Sequence, residues 1–166
     1  GHIVLSTLHT NNAIGVIPRL IDMKVDSFLL PPSLNLMASQ RLISRLCPDC
    51  KKPEAPAPSL EAVLKKEYEN LPAALKERIK QPLQIWHGQG CATCKGKGIL
   101  GRIALFEVLR MTPELSEVIA AGFTEKKLGE EVRRQGMITL RQDGMLKALS
   151  GEVSVEEVLR ETAAEV

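Results

Sequence analysis

The strongest constraint on this chain is a repeated spacing, Cys47-Pro48-Asp49-Cys50 and Cys91-Ala92-Thr93-Cys94. A C-x-x-C unit puts two thiols on one tight turn, where both can reach the same metal ion. Two such units brought together make a tetrahedral four-thiolate set, the donor set of a structural zinc site with no open position. Lys51 and Lys52 follow the first pair, and Lys95 and Lys97 the second, so positive charge is at hand to offset the thiolates and lower their pKa values. Gly96 and Gly98 let the chain curl until backbone N–H groups point at sulfur. Disulfides, a redox role and unligated thiols stay open as other readings. Two disulfides would need an oxidising compartment. A redox pair usually follows a strand and opens a helix, whereas these pairs lie among Pro and Gly. The expectation is structural zinc on Cys47, Cys50, Cys91 and Cys94, with this zone losing its fold when the metal is removed.

With 166 residues, the chain has room for one ordinary domain or two small ones. Aromatics are only 3%, so a core must rest on Leu, Ile, Val, Ala and Met. Twenty-two basic and twenty acidic residues leave a net charge of +2, which argues against direct nucleic-acid binding or a basic membrane-surface patch. No apolar run approaches the roughly 20 residues that span a bilayer. There is no initial Met and no charged leader ahead of an apolar stretch, so a secretory signal is not visible and a longer parent chain is expected.

Three zones follow from the pattern. In residues 1–46, Ile3 to Leu8 reads as a buried strand ending in the hydroxyl- and imidazole-rich stretch Ser6-Thr7-Leu8-His9-Thr10-Asn11. Polar groups at the carboxyl end of a buried strand sit where open α/β sheets bind ligands. His2 and His9 would face opposite sides of a regular strand. Asn11 or Asn12 can cap a helix through Ile14, Ile17, Leu20 and Ile21, with Pro18 expected to kink or stop it. After Pro31-Pro32, Ser33 can cap a second helix bearing Leu34, Met37, Leu42, Ile43 and Leu46. Residues 47–101 hold the cysteine pairs and, between them, a Pro-rich connector, a charged helix capped by Ser59, and another from Pro72 to near Lys80. Ile99 to Leu109 reads as a strand. The rest of residues 102–166 is mainly helical, with starts at Thr112-Pro113, Thr124, Ile138 and the capping box Ser154-Val155-Glu156-Glu157.

GHIVLSTLHTNN closely resembles the histidine box of the secretion ATPases, the traffic motors of type II secretion and type IV pilus assembly. Arg19-Leu20-Ile21-Asp22-Met23, then Ser39-Gln40-Arg41-Leu42 running into the first cysteine pair, resembles the end of that family's motor core. The second pair with Gly101-Arg102 and Phe106-Glu107-Val108 resembles its metal-binding insertion, and Thr139-Leu140-Arg141-Gln142-Asp143-Gly144 with Glu156-Glu157-Val158-Leu159 its helical end. Pro53 to Pro82 has the least family character. The tetracysteine set sets the chain apart from the family's retraction ATPases.

The resemblance implies an α/β fold. The end of a RecA-like motor (1–46) would lead into a tetracysteine zinc insertion (47–101) and a helical C-terminal subdomain (102–166). It implies a cytoplasmic homo-hexamer that uses ATP and Mg to assemble pilins or pseudopilins. Such a motor would be peripheral to the inner membrane through platform or cytoplasmic-ring proteins. His2 and His9 would correspond to the box histidines, accessory to catalysis beside the γ-phosphate, and Thr10 would help position that network. An Arg among Arg41, Arg45, Arg133, Arg134 and Arg141 could approach a neighbour's nucleotide, though most such residues form solvated faces. The family's nucleotide site also needs a phosphate loop, G-x-x-x-x-G-K-[ST], and metal-binding acids upstream of the histidine box. No such loop occurs in the sequence, so the chain alone is expected neither to bind ATP tightly nor to hydrolyse it. Two other classes compete: a stand-alone zinc-ribbon interaction module, and a thiol oxidoreductase.

Overall fold

Leu34, Met37, Leu42, Ile43 and Leu46 recur at roughly helical spacing and mix odd and even positions, so they do not alternate as a half-buried strand would. In a computed structural model of the chain, which describes residues 2–77, 79 and 82–163, Met37, Leu42, Ile43 and Leu46 fall on a strand, β1 (Leu36–Leu46), and Leu34 lies just before it. Its hydrogen-bonded neighbour is β4 (Ile99–Arg110), the strand expected from sequence. The helix expected after Ser33 is therefore absent. Ser33 instead ends a short helix, α2 (Leu30–Ser33), that follows a 3-10 turn at Ser27–Leu29. Strand pairing outweighs local propensity wherever a partner of matching length is available.

The chain forms two compact units, both discontinuous in sequence. The first comprises residues 1–39 and 107–137. Its core joins Ala13, Ile17, Leu30, Met37, Leu109, Leu115, Ile119, Leu128 and Val132. Ile17 lies on α1 (Val16–Asp22). Pro18 neither kinks nor stops this helix, because it sits in the first turn, where no intrahelical donor is required. The helix ends just before Lys24, which adopts a left-handed φ of 68°. In α5 (Pro113–Ala120) and α6 (Glu125–Arg134), Thr112 and Thr124 cap as the sequence indicates, accepting from the Leu115 and Lys127 amides.

α6 also carries a buried acid. Glu131 is 5% exposed and accepts from Thr112 Oγ1 at 2.8 Å, Gln135 Nε2 at 2.9 Å and Arg134 Nε at 2.6 Å. Arg134 reaches on to Glu114 at 2.8 Å. This network ties α6 to the start of α5.

The second unit comprises residues 40–106 and 138–166. Its core gathers Ile43, Leu64, Ile85, Leu105, Leu140, Met145, Ala148, Val153, Val155 and Val158. β2 (Lys51–Glu54) pairs antiparallel with β3 (Ile85–Gly88), in a register that sets Lys51 opposite Gly88 and Pro53 opposite Trp86. Between them stand α3 (Pro58–Glu69) and the short α4 (Ala73–Lys76). The start of α3 falls at Pro58, with Ala57 and not Ser59 in the capping position. Lys80, where the second insert helix was expected to end, lies outside the described residues. The segment with least family character nonetheless supplies Leu64 to the core, and Glu67 pairs with Arg141 at 3.1 Å.

α7 (Leu140–Leu149) shows why its motif reads as it does. Thr139 and Gln142 form a reciprocal capping box, and Leu140 is fully buried. Asp143 Oδ2 accepts the Phe106 amide at 2.8 Å and also binds Lys147. A Cβ on Gly144 would lie 2.5 Å from a Val158 methyl, so only glycine lets α8 (Val155–Glu161) approach so closely. Ser154 caps α8 by accepting the Glu157 amide, while the Glu157 carboxylate accepts the Ser44 amide on β1 at 3.1 Å.

Arg134, then burial against it, then the Gln135 and Thr112 donors set the pKa of Glu131, which falls from 4.5 to about 2. A depressed carboxyl stabilises the fold fully above its unfolded pKa and loses that contribution as pH falls through the folded one. Glu131→Gln should therefore cost about 1 kcal/mol at neutral pH. The gap to wild type should close between pH 4.5 and about 2. Urea unfolding at a series of pH values measures this; a gap constant with pH would contradict it.

Candidate functional site

The two C-x-x-C turns meet. Sγ of Cys47 lies 3.8 Å from that of Cys91, Cys50 lies 3.8 Å from Cys94, and Cys91 lies 3.7 Å from Cys94. All four sulfurs lie within 4.8 Å of one another. These separations far exceed a disulfide bond of about 2.05 Å. A tetrahedron with metal–sulfur bonds of about 2.3 Å has edges of about 3.8 Å, so the four donors match the size of a thiolate-bound zinc ion.

Backbone contacts lock one turn to the other. Cys47 N–H donates to the Gly98 carbonyl at 2.9 Å, and Gln89 N–H to the Cys50 carbonyl at 3.1 Å. The closest approach is between two glycines. A Cβ on Gly88 would fall 2.0 Å from the Gly98 oxygen, and Gly98 itself has φ of 71°. No side chain fits there. Lys95, at φ 53°, takes the left-handed conformation that closes the second turn, next to Gly96 at φ 79°.

The sulfurs are not equivalent. Burial is the largest influence on Cys47 and Cys50, raising both, with Cys50 pushed up to about 12. Backbone N–H donors dominate at Cys91 and Cys94 and lower both. The Cys91 and Gly98 amides, each 3.2 Å from the Cys94 sulfur, help bring Cys94 down to about 6. The glycine-rich second turn thus favours thiolate, as metal ligation requires.

Lys51 leaves the first turn to anchor it. Its Nζ donates to the Gly151 carbonyl at 2.7 Å and stands 5.2 Å from the centre of the Trp86 ring. Gly151, at φ 74°, is the only residue type that fits beneath that ring, since a Cβ there would lie 2.7 Å from it. Lys52, Lys95 and Lys97 are exposed.

The histidine stretch is placed differently from the sequence expectation. Residues 2–10 have no regular secondary structure, and Ile3, Val4 and Leu5 are 89%, 80% and 94% exposed. The expected buried strand is absent because no strand among the described residues pairs with it. His2 and His9 are exposed, and Thr10 is half-buried. Neither histidine belongs to the sulfur cluster. Of the arginines considered, Arg41 donates to the Glu161 carbonyl, while Arg134 and Arg141 are held in the contacts above. Arg45 and Arg133 are exposed. Among the described residues no helix is long and apolar enough to cross a membrane.

Replacing Gly88 by Ala must push the two turns apart. Gly88→Ala should lower thermal stability by about 2 kcal/mol or more and weaken metal uptake in a competition titration. Gly129→Ala is the control: its added Cβ meets nothing within 4 Å, and its stability should be unchanged or higher. Equal behaviour of the two variants would contradict this packing.

The sequence matches the family described as "Type II/IV secretion system protein" over residues 1–160. It is 38% identical over 163 residues to the type IV pilus assembly ATPase PilB of Myxococcus xanthus, covering 98% of this chain and 27% of that protein. It is 40% identical over 162 residues to PilB of Thermus thermophilus, covering 98% of this chain and 17% of that protein. It is 39% identical over 162 residues to the type II secretion system ATPase E of Vibrio cholerae, covering 98% and 30% respectively. The chain therefore spans less than a third of the length of these relatives. The ordered motifs, the four converging sulfurs and these matches lead to one conclusion: the chain belongs to the type II/IV secretion system protein family.

Proposed function

We propose that this chain is the C-terminal part of a hexameric cytoplasmic ATPase that powers pilin or pseudopilin assembly. In this reading residues 1–46 are the end of a RecA-like core, 47–101 a zinc module and 102–166 a helical subdomain. The observation that carries it is the convergence of Cys47, Cys50, Cys91 and Cys94 within a family match over nearly the whole chain. The four cysteines hold one structural zinc ion; four thiolates leave it no open position for catalysis. The ion joins two turns that the sequence places far apart.

His2 and His9 are accessory to catalysis beside the phosphate of an ATP bound, with Mg, by residues outside this chain, and Thr10 helps position that network. An imidazole and a hydroxyl there register the phosphate by hydrogen bonding. Partners are further copies of the same ATPase and inner-membrane platform or cytoplasmic-ring proteins, which make the machine peripheral to the membrane. The near-neutral charge supports no direct nucleic-acid role. A stand-alone zinc-ribbon module would share the metal site and lack the nucleotide role.

Two measurements on the purified chain test the reading. Elemental analysis should find about one zinc per chain, with all four thiols unreactive until a chelator is added. The chain should show no ATP turnover, because it has no phosphate loop. Four freely reactive thiols without metal, or turnover comparable to a full motor, would overturn it.

A further inference from the structure

The inward face of β4 reads Leu105, Glu107, Leu109. The alternation calls for an aliphatic residue in the middle, yet the position holds a carboxylate that is 2% exposed. Burying a carboxylate is strongly unfavourable unless donors are aimed at it. Glu107 Oε1 accepts the backbone N–H of Ala13 at 2.5 Å, across 94 positions of sequence. Ala13 is itself fully buried and packs in the same core as Ile17 and Leu109.

Ala13 is also where the exposed N-terminal stretch becomes fixed. Immediately before it, Asn12 Oδ1 accepts the Gly15 amide at 2.8 Å. Immediately after it, the Val16 amide donates to the Ala13 carbonyl at 3.3 Å. A Cβ on Gly15 would lie 3.0 Å from Asn12 Oδ1 and 3.6 Å from the Thr10 Cβ. The tail of the histidine stretch is therefore folded onto the residues that Glu107 holds.

We propose that Glu107 is a positioning residue for the histidine stretch. Its carboxylate fixes the Ala13 amide, and through the Asn12–Gly15 turn it holds His9 and Thr10 where a nucleotide phosphate meets them. Glu107 touches no nucleotide. The proposal rests on the phosphate-facing reading given above. It assigns a task to an acid that metal binding does not use.

Glu107→Leu and Glu107→Met continue the apolar face but cannot accept a hydrogen bond, whereas Glu107→Gln keeps an acceptor. In this chain, an apolar variant should keep the wild-type melting temperature. Its Ala13 amide should exchange about tenfold faster, while the Leu115 and Ile119 amides keep their protection. In the intact ATPase carrying the same substitution, kcat should fall about tenfold with KM within about twofold, and Glu107→Gln should recover most of the loss. Unchanged Ala13 exchange overturns the proposal, as does unchanged kcat once that protection is lost. If both apolar variants unfold while the Gln variant folds, Glu107 serves general stability and the proposal fails. An intact wild-type protein without ATP turnover would overturn the ATPase reading, and with it the phosphate-positioning role; Ala13 exchange still decides separately whether Glu107 holds this turn.

Discussion

Four sulfurs come within 4.8 Å of one another, and the second unit is organised around that convergence. The sulfur spacings of 3.7 and 3.8 Å demand that two turns, one before β2 and one after β3, touch through their backbones. Gly88 and Gly98 make the contact possible by having no side chains to interpose. The β2–β3 pair extends it, and Lys51 fastens it to the Gly151 turn under Trp86. Thiolates gathered without a counter-charge repel one another, so under the zinc proposal a dication would turn this arrangement from a cost into a source of stability.

The first unit is organised by acids in an apolar setting. Glu131 collects a hydroxyl, an amide and a guanidinium, and Glu107 takes a backbone amide from a distant turn. Each carboxylate selects one arrangement of its neighbours, because any other leaves a buried charge without donors. Aliphatic contacts alone, such as those among Ile17, Leu109 and Leu115, would tolerate more slippage.

Local chemistry was legible in the sequence wherever it decided the outcome. The caps at Thr112 and Thr124 and the strand from Ile99 fall where residue types place them, whereas α7 starts at Leu140 behind a Thr139 cap and not at Ile138. The cysteine spacing foretold a cluster that the structure forms. β1 reads as a helix from sequence because its apolar residues do not keep strand alternation and the deciding partner, β4, lies far along the chain. Ile3 to Leu8 reads as a buried strand from sequence because apolar content signals burial, but that content cannot supply a neighbour, and Ile3, Val4 and Leu5 are exposed. Leu64 looked like part of a variable insert, and only packing shows it in the core. Glu107 did carry a signal: a charge at an inward position of an alternating strand.

The central claim is that Cys47, Cys50, Cys91 and Cys94 together hold one structural zinc ion. Zinc-edge X-ray absorption on the purified chain tests it most directly. The account predicts a single shell of four sulfurs at about 2.3 Å, with no nitrogen or oxygen ligand. A shell containing nitrogen or oxygen, or a chain that carries no zinc and has its cysteines oxidised in pairs, would contradict it.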